Sequence, residues 1–116
     1  ESEILKKKNH INGLNIITEI VALDSNGMKT LSFNLKKTQE NLVLALASNS
    51  ENKILITLMI TDDLVKERLL DANVLIKELS KEINGSGGGQ AFFATAGGNS
   101  DISKIPLVFE KLKEMI

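Results

Sequence analysis

Two continuous apolar runs, separated by a short polar stretch, place the strongest constraint on the fold. The first run is NLVLALAS at residues 41–48, and the second is KILITLMI at residues 53–60. Continuous apolar runs of this length are typical of interior strands. The polar residues 49–52 form a turn by composition, and so short a connection predicts that the two strands pair antiparallel. We therefore expect both runs to lie in the interior of one sheet.

A strand and a helix are predicted before these runs. Residues 14–22, LNIITEIVA, are rich in β-branched side chains, and their imperfect alternation indicates burial on both faces. Asp24 or Ser25 can cap a helix, because its side-chain oxygen can accept a hydrogen bond from an N–H group of the first turn. We expect this helix to stop near Gln39. Its apolar stripe consists of Met28, Leu31 and Leu35.

A short helical turn within residues 63–70 and a longer helix are predicted after the runs. Asp71 is the expected N-cap of the longer helix. Asn84 and Gly85 are expected to end it, because both residues tolerate left-handed backbone angles. The apolar stripe between cap and end consists of Leu75, Ile76, Leu79 and Ile83.

The last two predicted elements are a strand at residues 91–96 and a C-terminal helix. Asp101 or Ser103 is expected to cap that helix. Pro106 then lies in its first turn, where the missing N–H group of proline costs little. The buried face of the helix consists of Ile105, Val108, Phe109, Leu112 and Ile116.

The order of elements predicts an α/β fold with a single mixed β-sheet flanked by helices, in the order β-α-β-β-α-β-α. A chain of 116 residues fits one domain. We expect this globular domain to span residues 10–116. Residues 1–9 are expected to be the end of a helical arm or a linker of a longer cytosolic protein. No stretch is long and apolar enough to suggest a membrane span, so no membrane contact is expected.

Few residues suggest catalysis or metal binding. The chain has no cysteine, which excludes disulfides and thiolate metal sites. His10 is the only histidine, and it is interpreted as an exposed linker residue. Asp62 and Asp63 are adjacent, and adjacent carboxylates on an extended chain point to opposite faces. We interpret them as a solvated strand end or helix cap, and we expect no catalytic residue, no metal and no cofactor.

The stretch INGSGGGQAFFATAGG at residues 83–98 has no such ready explanation. A run of glycines leaves several N–H groups unhindered, and such groups can form an anion-binding concavity. Gln90 stands where a nucleotide-binding P-loop has lysine, so the stretch is not a P-loop. The alternative is a flexible connector between helix and strand. Of Phe92 and Phe93, at least one is expected to be buried, and an exposed one could stack on a base.

This stretch and its two flanking helices resemble the C-terminal domain of alanyl-tRNA synthetase, in the wider family of DHH-associated domains of the first type. The family motif is a glycine run followed by Ala-x-Ala-Gly-Gly, matched here by residues 87–89 and 94–98. The resemblance covers residues 11–116. Two departures are Gln90-Ala91 in place of the common Arg-Pro pair, and Phe92 in place of an acidic residue. A glutamine offers only a neutral phosphate contact, whereas arginine offers a charged one.

The resemblance implies a domain that performs no chemistry itself and binds tRNA for an alanine–tRNA ligase. Aminoacylation and editing would belong to other domains of the parent cytoplasmic protein. Expected partners are tRNA, those other domains and, in some members, a second copy of the chain. The implied RNA- or phosphate-binding residues are Gly85, Ser86, Gly87, Gly88, Gly89, Gln90, Thr95, Gly97, Gly98, Lys36, Lys37 and Lys104.

Two other functions stay open at this point. The chain could be the substrate-binding domain of a DHH-family phosphoesterase or exonuclease, where the glycine-rich segment faces the substrate phosphate. It could also be a purely structural dimerisation module. The net charge of −1 provides no overall attraction to nucleic acid, so any phosphate contact must come from a local patch.

Overall fold

A computed structural model describes residues 9–11, 13–50, 53–98 and 102–116. These residues form one six-stranded sheet with four α-helices. The strands are β1 (Asn9–Ile11), β2 (Leu14–Ile20), β3 (Leu42–Ser50), β4 (Lys53–Ile60), β5 (Ser86–Gly89) and β6 (Phe93–Gly98). The helices are α1 (Ser25–Thr38), α2 (Asp62–Glu67), α3 (Ala72–Ser80) and α4 (Ile105–Met115), and short 3-10 turns occupy Lys81–Ile83 and Ile102–Lys104.

The sheet is mixed, as predicted. Its strand order is β1-β2-β3-β4-β6-β5. The strands β2 and β3 are parallel and are connected through α1, whereas every other neighbouring pair is antiparallel. The two apolar runs form the adjacent central strands β3 and β4, which confirms their predicted pairing. The strand β5 lies at one edge of the sheet.

One face of the sheet packs against α3 and α4. Large side chains of β4 lie between small ones of its neighbours, since Leu58 is in register with Ala45 of β3 and Ala94 of β6. The helices fill the space above these small residues with Leu75, Ile76 and Leu79 of α3 and Ile105, Val108 and Leu112 of α4, all buried. The main hydrophobic core therefore lies on this face.

The other face is only partly covered. Met28 and Leu35 of α1 pack on buried side chains of the first strands, including Ile17 of β2 and Leu44 of β3. Beyond β4, Thr95 on β6 is exposed. The only helix described on this face, α1, therefore leaves the β5–β6 hairpin uncovered.

Aspartates cap the helices α1 and α3, which confirms the caps predicted at Asp24 and Asp71. The Asp24 carboxylate accepts from the Gly27 N–H at 2.7 Å. The Asp71 carboxylate accepts from the N–H groups of Asn73 at 2.9 Å and Val74 at 3.4 Å. Each cap supplies an acceptor for first-turn N–H groups that have no partner within the helix.

We expect Asp71→Ala to lower the free energy of unfolding by about 1 kcal/mol, because the N–H groups at the start of α3 lose their acceptor. Asp71→Asn is the matched control, since its side-chain oxygen can accept the same bonds and asparagine caps about as well. Urea denaturation measures both variants. An equal loss in the asparagine variant would show that the charge, rather than the hydrogen bonds, stabilises this helix.

The structure also corrects several sequence predictions. The strand β1 was not predicted, and the strand predicted at residues 91–96 begins and ends two residues later. Ser103 lies in a 3-10 turn before α4 and does not cap that helix, while the other candidate cap, Asp101, lies outside the described residues. Pro106 occupies the first turn of α4 as expected.

Other sequence predictions concern residues near the edges of the described ranges. Of the turn predicted at residues 49–52, Asn49 and Ser50 belong to β3 instead, and residues 51–52 lie outside the described part. The predicted helical arm at residues 1–9 lies outside it as well, except for Asn9 in β1. Among the described residues, no helix has the length and apolar character needed to cross a membrane.

Candidate nucleic-acid interface

The glycine run at residues 86–89 is a β-strand and not a flexible connector or loop. Residues Ser86–Gly89 form β5, which pairs antiparallel with β6. Within this hairpin, Gly88 is in register with Thr95 and Ser86 with Gly97. The strand lacks the alternating side chains by which strands are recognised in a sequence, so it forms through its pairing with β6 rather than through local preference.

Close backbone contacts explain why glycine is required at alternate positions. A Cβ atom on Gly87 would overlap the carbonyl oxygen of Thr95 and the backbone of Ala96. A Cβ atom on Gly89 would overlap the carbonyl oxygen of Phe93 in the same way. In contrast, a Cβ atom on Gly97 would meet nothing nearer than 3.7 Å. The glycines therefore serve the packing of the hairpin, whatever else they contact.

Several N–H groups of this segment already have acceptors. The Gly85 N–H donates to the Ser80 carbonyl at 3.0 Å, and the Gly89 N–H donates to the Asn73 side chain at 3.1 Å. The Gln90 N–H donates to the Phe93 carbonyl at 2.8 Å. Because N–H directions alternate along a strand, the Gly87 N–H points away from β6, as that of Gly89 does. Of the glycine run at residues 85–89, Gly85 and Gly89 therefore do not contribute to the several unhindered N–H groups expected from the sequence.

Three adjoining depressions of about 610, 320 and 260 Å³ lie along the open face of the hairpin. The second and third also include residues of α1 in their lining, whereas the first is lined by β4 and the hairpin. The first shares Ser86 and Gly97 with the second, and the second shares Gly88 and Thr95 with the third. We call this feature the glycine groove. Its lining includes Lys53 at one end and Lys29 at the other.

The structure brings together all the predicted site residues of the hairpin. The predicted residues that line the glycine groove are Gly85, Ser86, Gly87, Gly88, Gly89, Gln90, Thr95, Gly97 and Gly98. These nine residues therefore share one surface. Its binding of RNA stays a prediction.

The predicted lysines do not gather in the same way. Lys36 on α1 lies beside the hairpin turn, where its ammonium group is 4.9 Å from the centre of the Phe92 ring and 3.1 Å from the Asp62 carboxylate. Lys37 is exposed on α1. Lys104 precedes α4, which packs on the opposite face of the sheet. Of the three, Lys36 lies nearest to the groove.

Sequence reasoning missed three lysines that lie near the glycines. Lys29 and Lys53 line the groove. Lys77 on α3 lies beside β5, where its Cε atom would be 3.9 Å from a Cβ atom on Gly88. For Lys29 a signal existed, because it lies four residues before Phe33 and seven before Lys36, and these spacings place all three on one side of a helix.

The remaining candidates for chemistry have structural roles. His10 is exposed in β1 and not in a linker. Asp62 pairs with Lys36, and Asp63 accepts a hydrogen bond from the Asn41 N–H at 2.9 Å. Within the described ranges, no group of three histidine, aspartate or glutamate side chains is arranged to hold a metal ion.

Comparison with known proteins places this chain in a family. The sequence profile described as the DHHA1 domain matches residues 13–116. The chain is 42% identical over 107 residues to an alanine–tRNA ligase of Cytophaga hutchinsonii, covering 91% of this chain and 12% of that protein. It is 38% identical over 100 residues to an alanine–tRNA ligase of Christiangramia forsetii, covering 86% of this chain and 12% of that protein.

A solved structure shows the same architecture. The C-Ala domain from Aquifex aeolicus alanyl-tRNA synthetase superposes with a TM-score of 0.86 at 23% identity, covering 94% of this chain and 96% of that one. The fold is therefore that of a C-Ala-type α/β domain. The chain belongs to the DHHA1 domain family. It spans 12% of the length of the alanine–tRNA ligases named above.

Proposed function

We propose that this chain is the tRNA-binding domain of an alanine–tRNA ligase and that the glycine groove receives the RNA backbone. The domain itself needs no cofactor and performs no reaction, and other domains of the parent cytoplasmic enzyme carry out aminoacylation and editing. The observation that carries the proposal is that all nine predicted hairpin residues line one groove, which has a lysine at each end. Similarity to two alanine–tRNA ligases supports the choice of parent.

The physical basis is close approach combined with local positive charge. The open face of the hairpin carries glycines and two small hydroxyl residues, Ser86 and Thr95, so a phosphate can come near the main chain. Lys29 and Lys53 supply charge at the two ends. The whole chain is almost neutral, so this local patch determines where a polyanion binds.

The double variant Lys29→Ala/Lys53→Ala is expected to bind an alanine tRNA transcript about tenfold more weakly than the wild type. Loss of two phosphate contacts should also reduce the slope of log affinity against log salt by about 2. Filter binding at roughly 50 and 200 mM salt measures both quantities. Lys113→Ala is the matched control, because Lys113 lies on α4 and pairs with Glu110.

The same binding measurement tests the other predicted cations, and sedimentation tests the dimerisation module. Single variants at Lys36, Lys37 and Lys104 show which of them contact RNA. Salt-independent binding, or an equal loss in the Lys113 control, would contradict the groove. Sedimentation of the same samples tests dimerisation. An isolated chain that binds no tRNA but self-associates would instead favour the dimerisation module.

A further inference from the structure

Three of the four phenylalanines converge at one end of the glycine groove. The ring centres of Phe33 and Phe93 are 4.8 Å apart, and those of Phe33 and Phe92 are 6.3 Å apart. Each of these rings is only half-buried. The fourth phenylalanine, Phe109, packs against the main core on the opposite face. In a chain with 3% aromatic residues, this concentration at an open surface requires an explanation.

The core explains only one of the three rings. Phe93 packs against the hydrophobic cluster beneath α1. Phe33 and Phe92 form an outer layer on it and remain partly open to solvent. The expectation that at least one of Phe92 and Phe93 is buried is therefore met only in part, because Phe93 packs against the buried cluster but both side chains remain half-buried.

Main-chain hydrogen bonds fix the turn that carries Phe92. The Phe92 carbonyl accepts from the Ile60 N–H at 2.9 Å, and the Ala91 carbonyl accepts from the Ala72 N–H at 2.8 Å. The Gln90 N–H closes the turn on the Phe93 carbonyl. A ring on a turn held in this way is placed before any ligand arrives, which lowers the entropic cost of binding.

Cations and hydrogen-bonding groups surround the rings. The ammonium groups of Lys36 and Lys29 lie 4.9 Å from the centre of Phe92 and 6.0 Å from the centre of Phe33. The exposed Gln90 amide and Thr95 hydroxyl line the same recess, whose volume is about 260 Å³. The recess is smaller than most sites for whole small molecules, and its walls combine flat apolar surface with positive charge.

We propose that this aromatic recess holds one unstacked RNA base, with the adjoining phosphate near Lys29. The inference rests on the proposed function and specifies how the groove distinguishes single-stranded from paired RNA. A base in a duplex is stacked on both faces and cannot lie against Phe33 or Phe92, whereas a base in a loop or at an end can. An apolar protein side chain fits less well, because the two lysines favour an anionic group beside the rings.

The test uses the full chain and a seven-nucleotide single-stranded RNA with a central 2-aminopurine. Binding should quench the fluorescence of this base, since stacking on an aromatic ring quenches it. Phe33→Leu and Phe92→Leu remove the π-faces while retaining apolar volume, and each should weaken single-strand binding about tenfold. Their salt dependence and their binding to a fully paired duplex should stay unchanged. Phe109→Leu is the control.

The outcomes separate this inference from the proposed function. The wild type could bind tRNA in a salt-dependent manner without quenching, and neither phenylalanine variant could change the affinity. That result would overturn the proposal of a base in the aromatic recess but not the proposed function. Absence of any RNA binding would overturn both. Reduced self-association in the phenylalanine variants, with unchanged RNA affinity, would show that the recess contacts protein instead. The quenching measurement uses the wild type alone, so it tests whether a base stacks in the recess even if a substitution prevents folding.

Discussion

Gly87→Ala should lower the free energy of unfolding by about 3 kcal/mol, near the upper end of the usual cost of overpacking. The added Cβ atom would overlap the carbonyl oxygen of Thr95 and lie 2.6 Å from the Cβ atom of Ala96. Both atoms belong to β6, which is fixed between β5 and β4. The end of a flexible side chain could move aside, but the backbone of a paired strand cannot. The strands β5 and β6 must therefore move apart. Urea denaturation measures the loss.

Gly97→Ala is the matched control for this prediction. The new Cβ atom would lie 3.7 Å from the Leu55 side chain and 3.9 Å from the Ile54 carbonyl oxygen, which are ordinary contact distances. We expect a change within about 1 kcal/mol, in either direction, because alanine also restricts the unfolded chain. Equal losses in the two variants would contradict the view that glycine is needed at residue 87 for close strand packing.

The parts of the fold that could be predicted are those that the sequence encodes in side-chain patterns. The strand β4 has the bounds predicted from its apolar run, Lys53–Ile60. The helix α1 begins after Asp24 and has Gln39 at its C-cap, as its stripe and cap indicated. Burial patterns and caps are local features, so no knowledge of the neighbouring strands was needed.

The parts that could not be predicted depend on pairing between distant segments. The three-residue strand β1 is too short to show a pattern, and it exists because it pairs with β2. The strand β5 has no apolar side chain, so its pattern resembles that of a loop. At Asn84 the positive φ of 51° ends the preceding turn, which confirms the predicted break, although Gly85 does not share that conformation.

The candidate site divides in the same way. The nine predicted hairpin residues share one surface, because the hairpin is a contiguous stretch of the chain. The three predicted lysines are spread over the sheet, because their facing depends on which side of the sheet each helix covers. Lys29 faces the groove since α1 lies across the partly covered face, whereas Lys104 follows the chain to α4 on the other face. No local pattern encodes that difference.

Leu58→Ala should lower the free energy of unfolding by about 4 kcal/mol, through lost burial and a cavity that its neighbours cannot fill. Leu58 is fully buried on β4, and its register partners Ala45 and Ala94 are too small to move into the space. Leu107→Ala on α4 removes the same atoms from a side chain that is 50% exposed, and it should cost less than about 1 kcal/mol. Urea denaturation with unchanged m-values measures both variants. A loss below about 2 kcal/mol at Leu58 would mean that α3 moves onto the sheet and closes the cavity. That result would contradict the view that the large β4 side chains, which lie between alanines of β3 and β6, set the distance between the sheet and the helices.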